Sequence, residues 1–179
     1  MKIALKSRSS RLIAAGIGAA VILVAAGAAA MLSIGGTPKD EVALWNQTND
    51  VAISGYDTVA YFAKGEAMAG SETFQHRWQD ATWLFAEVGH RDLFASDPER
   101  YAPQFGGFCA TGMTYGATAK ADPEVWAIID DKLYLNFDEY AHEIFHDNVE
   151  TNVANAERKW AEQIEAERVA RAAQAPLTQ

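Results

Sequence analysis

The sequence predicts an α+β fold: a small antiparallel sheet with hairpins and short helices, preceded by an N-terminal transmembrane helix and followed by a C-terminal amphipathic helix. Three observations predict it. Residues 12–34 carry no charged side chain and follow a basic decapeptide. Apolar and aromatic runs at 73–78, 82–86, 126–129 and 133–137 are split by short polar turns. Near the C-terminus, Val149, Val153, Ala156, Trp160 and Ile164 recur at helical spacing.

Residues 1–11 read as a basic cytoplasmic flank. The run at 12–34 exceeds the ~20 apolar residues needed to cross a bilayer. That length favours an uncleaved anchor over a secretory signal, whose apolar region is usually about 7–15 residues. Gly27, Ala28 and Ala30 supply small residues of the cleavage-site type, so a cleaved signal is the alternative. The positive flank orients the rest of the chain outward, into the periplasm of a bacterium. Residues 35–44 form a linker, 45–148 the α+β domain, and 149–179 the C-terminal helix and tail.

Within the domain, residues 51–54 read as a short strand ended by Gly55. The runs 73–78 and 82–86 form a strand pair turning at Gln79 and Asp80. Residues 87–96 have helical spacing that stops at Asp97 and Pro98. The stretch 101–115, rich in Gly and aromatics, reads as an ordered loop turning at Gly106 and Gly107. Residues 126–129 and 133–137 flank Asp130, Asp131 and Lys132 in a hairpin pattern. Helices follow at 139–147 and 150–173, the second presenting a charged face opposite its apolar stripe. Trp45, Trp78, Trp83, Trp126 and Trp160 are expected in the core or at an interface. Asp57, Asp97, Asp122, Asp130 and Asp131 read as turn residues.

The net charge of −9 divides into +4 over residues 1–40 and −13 over the remainder. An acidic body of this kind lacks the basic footprint of a nucleic-acid binder, so no nucleic-acid partner is expected. A single cysteine excludes an intramolecular disulfide or an all-cysteine zinc cage. There is no Ser-His-Asp order, phosphate-binding glycine loop or dinucleotide fingerprint.

Cys109 lies in a glycine-flanked segment, FGGFCATGM. It reads either as a small buried hydrophobe or as a soft metal ligand or redox thiol. With His76 and His90 it would make a three-ligand nitrogen–sulfur site suited to copper or zinc. Separately, His142-Glu143-Ile144-Phe145-His146 matches H-E-x-x-H. On a helix His142 and His146 share a face, and Glu143 would serve as base to a zinc-bound water. Glu165 is the candidate third ligand; the alternative is a short helix that packs Ile144 and Phe145.

The segments 53–62 (ISGYDTVAYF), 83–86 (WLFA), 90–101 (HRDLFASDPERY) and 102–110 (APQFGGFCA) fall in order along the chain. With 132–136 (KLYLN) and the later Ala156 and Trp160, they resemble the YHS domain family over about residues 45–160. The resemblance is closest to the stand-alone bacterial members, whose group includes selenoproteins. It implies a small α+β metal-binding module like that of copper-transporting ATPases. Cysteines of the cysteine-bearing relatives would fall at Ala60, Ala86 and His90, and only His90 retains a ligating side chain. The selenoprotein connection implies a thiol role for Cys109.

The expectation is therefore a membrane-anchored periplasmic module without catalysis. It would bind a soft metal through Cys109, His90 and His76, or a small ligand. The alternatives are a thiol-redox protein using Cys109, a zinc hydrolase at the HEIFH helix, or a partner-binding domain acting through its C-terminal helix.

Overall fold

The computed structural model of the chain describes residues 44–174. The basic flank, the apolar run at 12–34, most of the linker and the last five residues lie outside them. Among the described residues no helix is long and apolar enough to cross a membrane.

Three two-residue turns organise the strands. Each places two consecutive non-glycine residues at positive φ: Asn49 and Asp50, Gln79 and Asp80, Asp130 and Asp131. Such pairs match the twist of the strands they join, and Asn and Asp tolerate the conformation well. The first joins β1 (Gln47–Thr48) to β2 (Val51–Ala52). The second joins β3 (Ser71–Trp78) to β4 (Ala81–Phe85), and the third β5 (Asp122–Ile129) to β6 (Lys132–Asn136).

The sheet is not the purely antiparallel one expected. A four-stranded sheet has the order β1-β2-β4-β3, and β2 runs parallel to β4. Pairing Val51 with Thr82 needs a crossover, and the intervening chain supplies it with a 3₁₀ turn at Ile53–Gly55 and a helix, α1 (Thr58–Ala63). The β5–β6 hairpin is a separate sheet.

Helix α1 corrects the reading of Asp57 as a turn residue. Asp57 is the N-cap, its Oδ1 accepting from Val59 N at 2.9 Å and Ala60 N at 3.2 Å. After β4 come α2 (Val88–Ser96) and α3 (Pro98–Tyr101), the latter opening on proline. The stretch expected to be one ordered loop instead holds a 3₁₀ turn, Gln104–Gly107, and α4 (Ala110–Thr114). Short polar-poor helices of this kind carry little periodic signal. Helices α5 (Glu139–Asp147) and α6 (Val149–Gln174) match expectation, α5 being capped by Asp138 through Ala141 N at 2.8 Å.

Strand β6 divides the interior. Alternate side chains of a strand point to opposite faces. Leu133 and Leu135 enter one core with Ile53, Val59, Tyr61, Trp83, Phe85 and Phe94. Tyr134 enters the other with Phe105, Met113, Phe145 and Ala156. Val149, Val153 and Trp160 of α6 pack against this second core, as their spacing predicts. Farther along the same helix Val169 is exposed.

Candidate functional site

Cys109 precedes α4 and caps it, its sulfur accepting from Gly112 N at 3.4 Å. The residue is 3% exposed. Its Sγ also faces Asn136 Oδ1 at 3.8 Å, an oxygen that accepts from Thr111 N at 3.2 Å, while the single proton of the Thr111 hydroxyl goes to Ala141 O at 2.5 Å. A backbone N–H only donates, so the Asn136 oxygen must face Thr111 N, and the thiol is its second donor. Asn136 Nδ2 is buried with no hydrogen-bond partner among the described residues. The glycine-flanked sulfur is thus an enclosed capping group with amide and hydroxyl neighbours.

His90 lies on α2 and is 3% exposed. Its Nδ1 is 2.6 Å from Asp57 Oδ2 and its Nε2 is 3.0 Å from Glu87 Oε1. Asp57 is fully buried and its Oδ2 also accepts from Ala86 N at 2.8 Å. One carboxylate therefore joins the start of α1, the end of β4 and the first turn of α2. Both ring nitrogens of His90 are engaged by carboxylates. His76, on β3, sets its ring edge-on to Phe94 at 6.0 Å. Burial, with the Arg91 charge, holds its imidazole below the ordinary value.

The structure does not gather Cys109, His90 and His76 into one ligand set. Among the described residues no group of three or more His, Cys, Asp or Glu is placed to hold a metal ion. That applies equally to His142, Glu143 and His146 as a three-ligand zinc centre: Glu165 instead pairs with Arg168 on α6, at 2.7 Å. His142 and His146 do share a face of α5, their rings stacked with centroids 4.1 Å apart. Burial, then the His146 charge, hold His142 below the ordinary imidazole value, partly offset by Glu139 and Glu143.

A concave feature lined by aromatic rings lies between α6 and the chain that leads into β1. It is a groove of about 350 Å³. Trp45, Trp78, Phe105 and Trp160 supply its rings, and Ile164 and Ala161 extend the wall along α6. Glu99 and Glu157 are the charged residues that line it. Glu157 is exposed and pairs with Lys132 at 3.3 Å. The aromatic wall is braced from behind: Trp45 meets Trp83 at 4.9 Å and Trp78 at 5.3 Å, and Trp83 meets Phe94 at 5.0 Å. Phe105 and Trp160 are 6.5 Å apart.

The groove depends on a close backbone approach. Asn46 N donates to Gly106 O at 2.8 Å, and Asn46 Nδ2 to Gly107 O at 3.0 Å. Gly106 and Gly107 have φ of +62° and +75°, which glycine adopts without strain. The glycines singled out in the sequence therefore seat the Leu44–Asn46 segment rather than expose the neighbouring sulfur. The tryptophans were legible as buried or interfacial residues; their convergence with Phe105 and Glu99 was not.

Two buried phenols set the alkaline limit of the fold. Tyr61 donates to Pro123 O at 2.9 Å, and burial raises its pKa strongly. Burial, aided by Glu157 and Asp130, pushes Tyr134 up to about 12. Both phenols lose protons more readily in the unfolded chain, where the value is about 10. The phenols' contribution to stability is then expected to be constant below about pH 10 and to fall between about pH 10 and 12. Urea denaturation across pH 8–12 checks this, and Tyr134→Phe should weaken the alkaline loss; a flat profile would contradict the burial argument.

A scan against protein-family models, a search of curated proteins and a search of solved structures each found no match to this chain.

Proposed function

We propose that this chain is a non-catalytic binding module of the YHS type, tethered by residues 12–34 with its domain outside the bacterial inner membrane. Its ligand is a small organic cation with a flat apolar body, held in the groove beside α6. The observation that carries the reading is the lining: four aromatic rings around about 350 Å³, with glutamates as the charged residues. Small-molecule sites are concave, mostly apolar and about 300–1,000 Å³. Aromatic rings attract cations by about 0.5–2 kcal/mol, more as water is excluded. The exposed carboxylate of Glu99 adds charge of the matching sign, and the acidic body of the protein raises the local concentration of cations. The basic first decapeptide and the uncharged run after it support the tether.

Tryptophan emission tests the reading, since three of the rings are indoles. The full chain in detergent is titrated with benzyltrimethylammonium and, in parallel, with benzenesulfonate. The cation should give a saturable change and the anion none. Glu99 is exposed, so Glu99→Gln should fold normally and weaken the cation by about two- to fivefold. A linear response, or equal responses to both probes, would remove this function.

A further inference from the structure

We propose that His142 and His146 form a chelating site for one divalent ion of borderline softness, copper(II) foremost, on the exposed face of α5. The site is separate from the groove and does not rest on it.

The helix sets the geometry. Residues four apart lie one above the other on a helix, and here the two rings are stacked with centroids 4.1 Å apart and planes 29° from parallel. Two imidazole nitrogens bound to one ion at about 2.0–2.1 Å stand roughly 3 Å apart, so small side-chain rotations bring both donors onto a shared ion. His146 Nδ1 lies 2.9 Å from the His142 carbonyl oxygen. A carbonyl accepts only, so Nδ1 carries the proton and Nε2 presents its lone pair. This is the outer hydrogen bond that metal-binding histidines ordinarily have.

His142 is equally unencumbered. Its Nδ1 is buried with no hydrogen-bond partner, and no other group among the described residues hydrogen-bonds its ring. Nothing has to be broken for it to turn toward an ion. Glu139 and Glu143 lie on the same stripe of α5, three residues before each histidine, and both act electrostatically on His142. They give the face a negative potential that attracts cations. His90, by contrast, has both nitrogens held by carboxylates. Two imidazoles with the remaining positions open to water suit copper(II) best, since it tops the stability order for nitrogen and oxygen ligands.

The test uses the full chain, untagged and in detergent, with copper(II) chloride as the probe. Wild type should bind one equivalent, and electron spin-echo modulation should report two equatorial imidazoles. His146→Ala removes an exposed side chain and should keep the fold. It should leave one imidazole and weaken binding by about a hundredfold, because the second donor no longer sits at high effective concentration. His142→Gln should do the same, while His76→Gln should bind as wild type. Wild-type binding in both α5 variants would overturn the proposal, as would a loss in His76→Gln equal to theirs. Absence of a stoichiometric copper signal in the wild type would overturn it too.

Discussion

Asp57→Ala is expected to destabilise the domain by about 3–5 kcal/mol, the consequence of leaving several buried donors without an acceptor at about 1–3 kcal/mol each. The carboxylate accepts four hydrogen bonds: from Val59 N and Ala60 N on one oxygen, and from Ala86 N and His90 Nδ1 on the other. Alanine would strand all four donors in a site that is fully buried. The melting temperature should fall by roughly 10 °C or more. Asp57→Asn is the informative companion. It retains one oxygen to cap α1 but turns an amide NH₂ toward Ala86 N–H, where donor meets donor. Its stability should lie between wild type and Asp57→Ala. Urea or thermal unfolding followed by tryptophan emission measures both; a loss below about 1 kcal/mol for Asp57→Ala would mean that water replaces the carboxylate cheaply.

Gly106→Ala is the second large effect. A Cβ built there meets the Leu44 carbonyl oxygen at 1.9 Å and Trp160 Cη2 at 3.0 Å. Real side chains do not tolerate the first distance, so the Leu44–Asn46 segment must move. The left-handed φ adds about 1 kcal/mol for a non-glycine residue. Together with overpacking of about 1–3 kcal/mol, the expected loss is about 3 kcal/mol. Gly65→Ala separates the two terms: its φ is +70° but nothing lies within 4 Å of the added carbon. It should show the conformational penalty of about 1 kcal/mol alone. Because Leu44 and Trp45 line the groove, Gly106→Ala should also weaken benzyltrimethylammonium, whereas Gly65→Ala should not. Equal losses in the two variants would show that the close approach at Gly106 relaxes without cost.

Much of the fold was legible because its signals are local. The hairpin at Asp130 and Asp131 announces itself by two acidic turn residues between apolar runs, while the register shift between Asp122 and Trp126 does not. The α6 stripe is visible because 3.6-residue spacing places Val149, Val153, Ala156 and Trp160 on one side. Helices α1 and α4 were not legible, having six and five residues. Two turns or fewer do not establish a period, and tertiary burial holds such helices in place. The parallel contact of β2 with β4 was hidden for a related reason, since it joins residues far apart in the chain through one pair, Val51 with Thr82.

The candidate sites divide in the same way. His142 and His146 are neighbours by virtue of four-residue spacing on a helix, so their proximity could be read directly. Cys109, His76 and His90 had only their chemistry in common. Each found other company: Asn136 and Gly112 for the sulfur, Asp57 and Glu87 for His90, and Phe94 for His76.

By itself the sequence determined the α+β class, the acidic body, the two later hairpins and the long helix with its apolar stripe. These depend on side-chain period, charge and turn chemistry, which act over a few residues. Only the tertiary structure decided that the glycine pair seats the Leu44–Asn46 segment, that Asp57 clasps three elements, and that tryptophans distant in the chain wall one groove. Those outcomes depend on which surfaces pack together, and burial rewards total area removed from water without regard to distance along the chain.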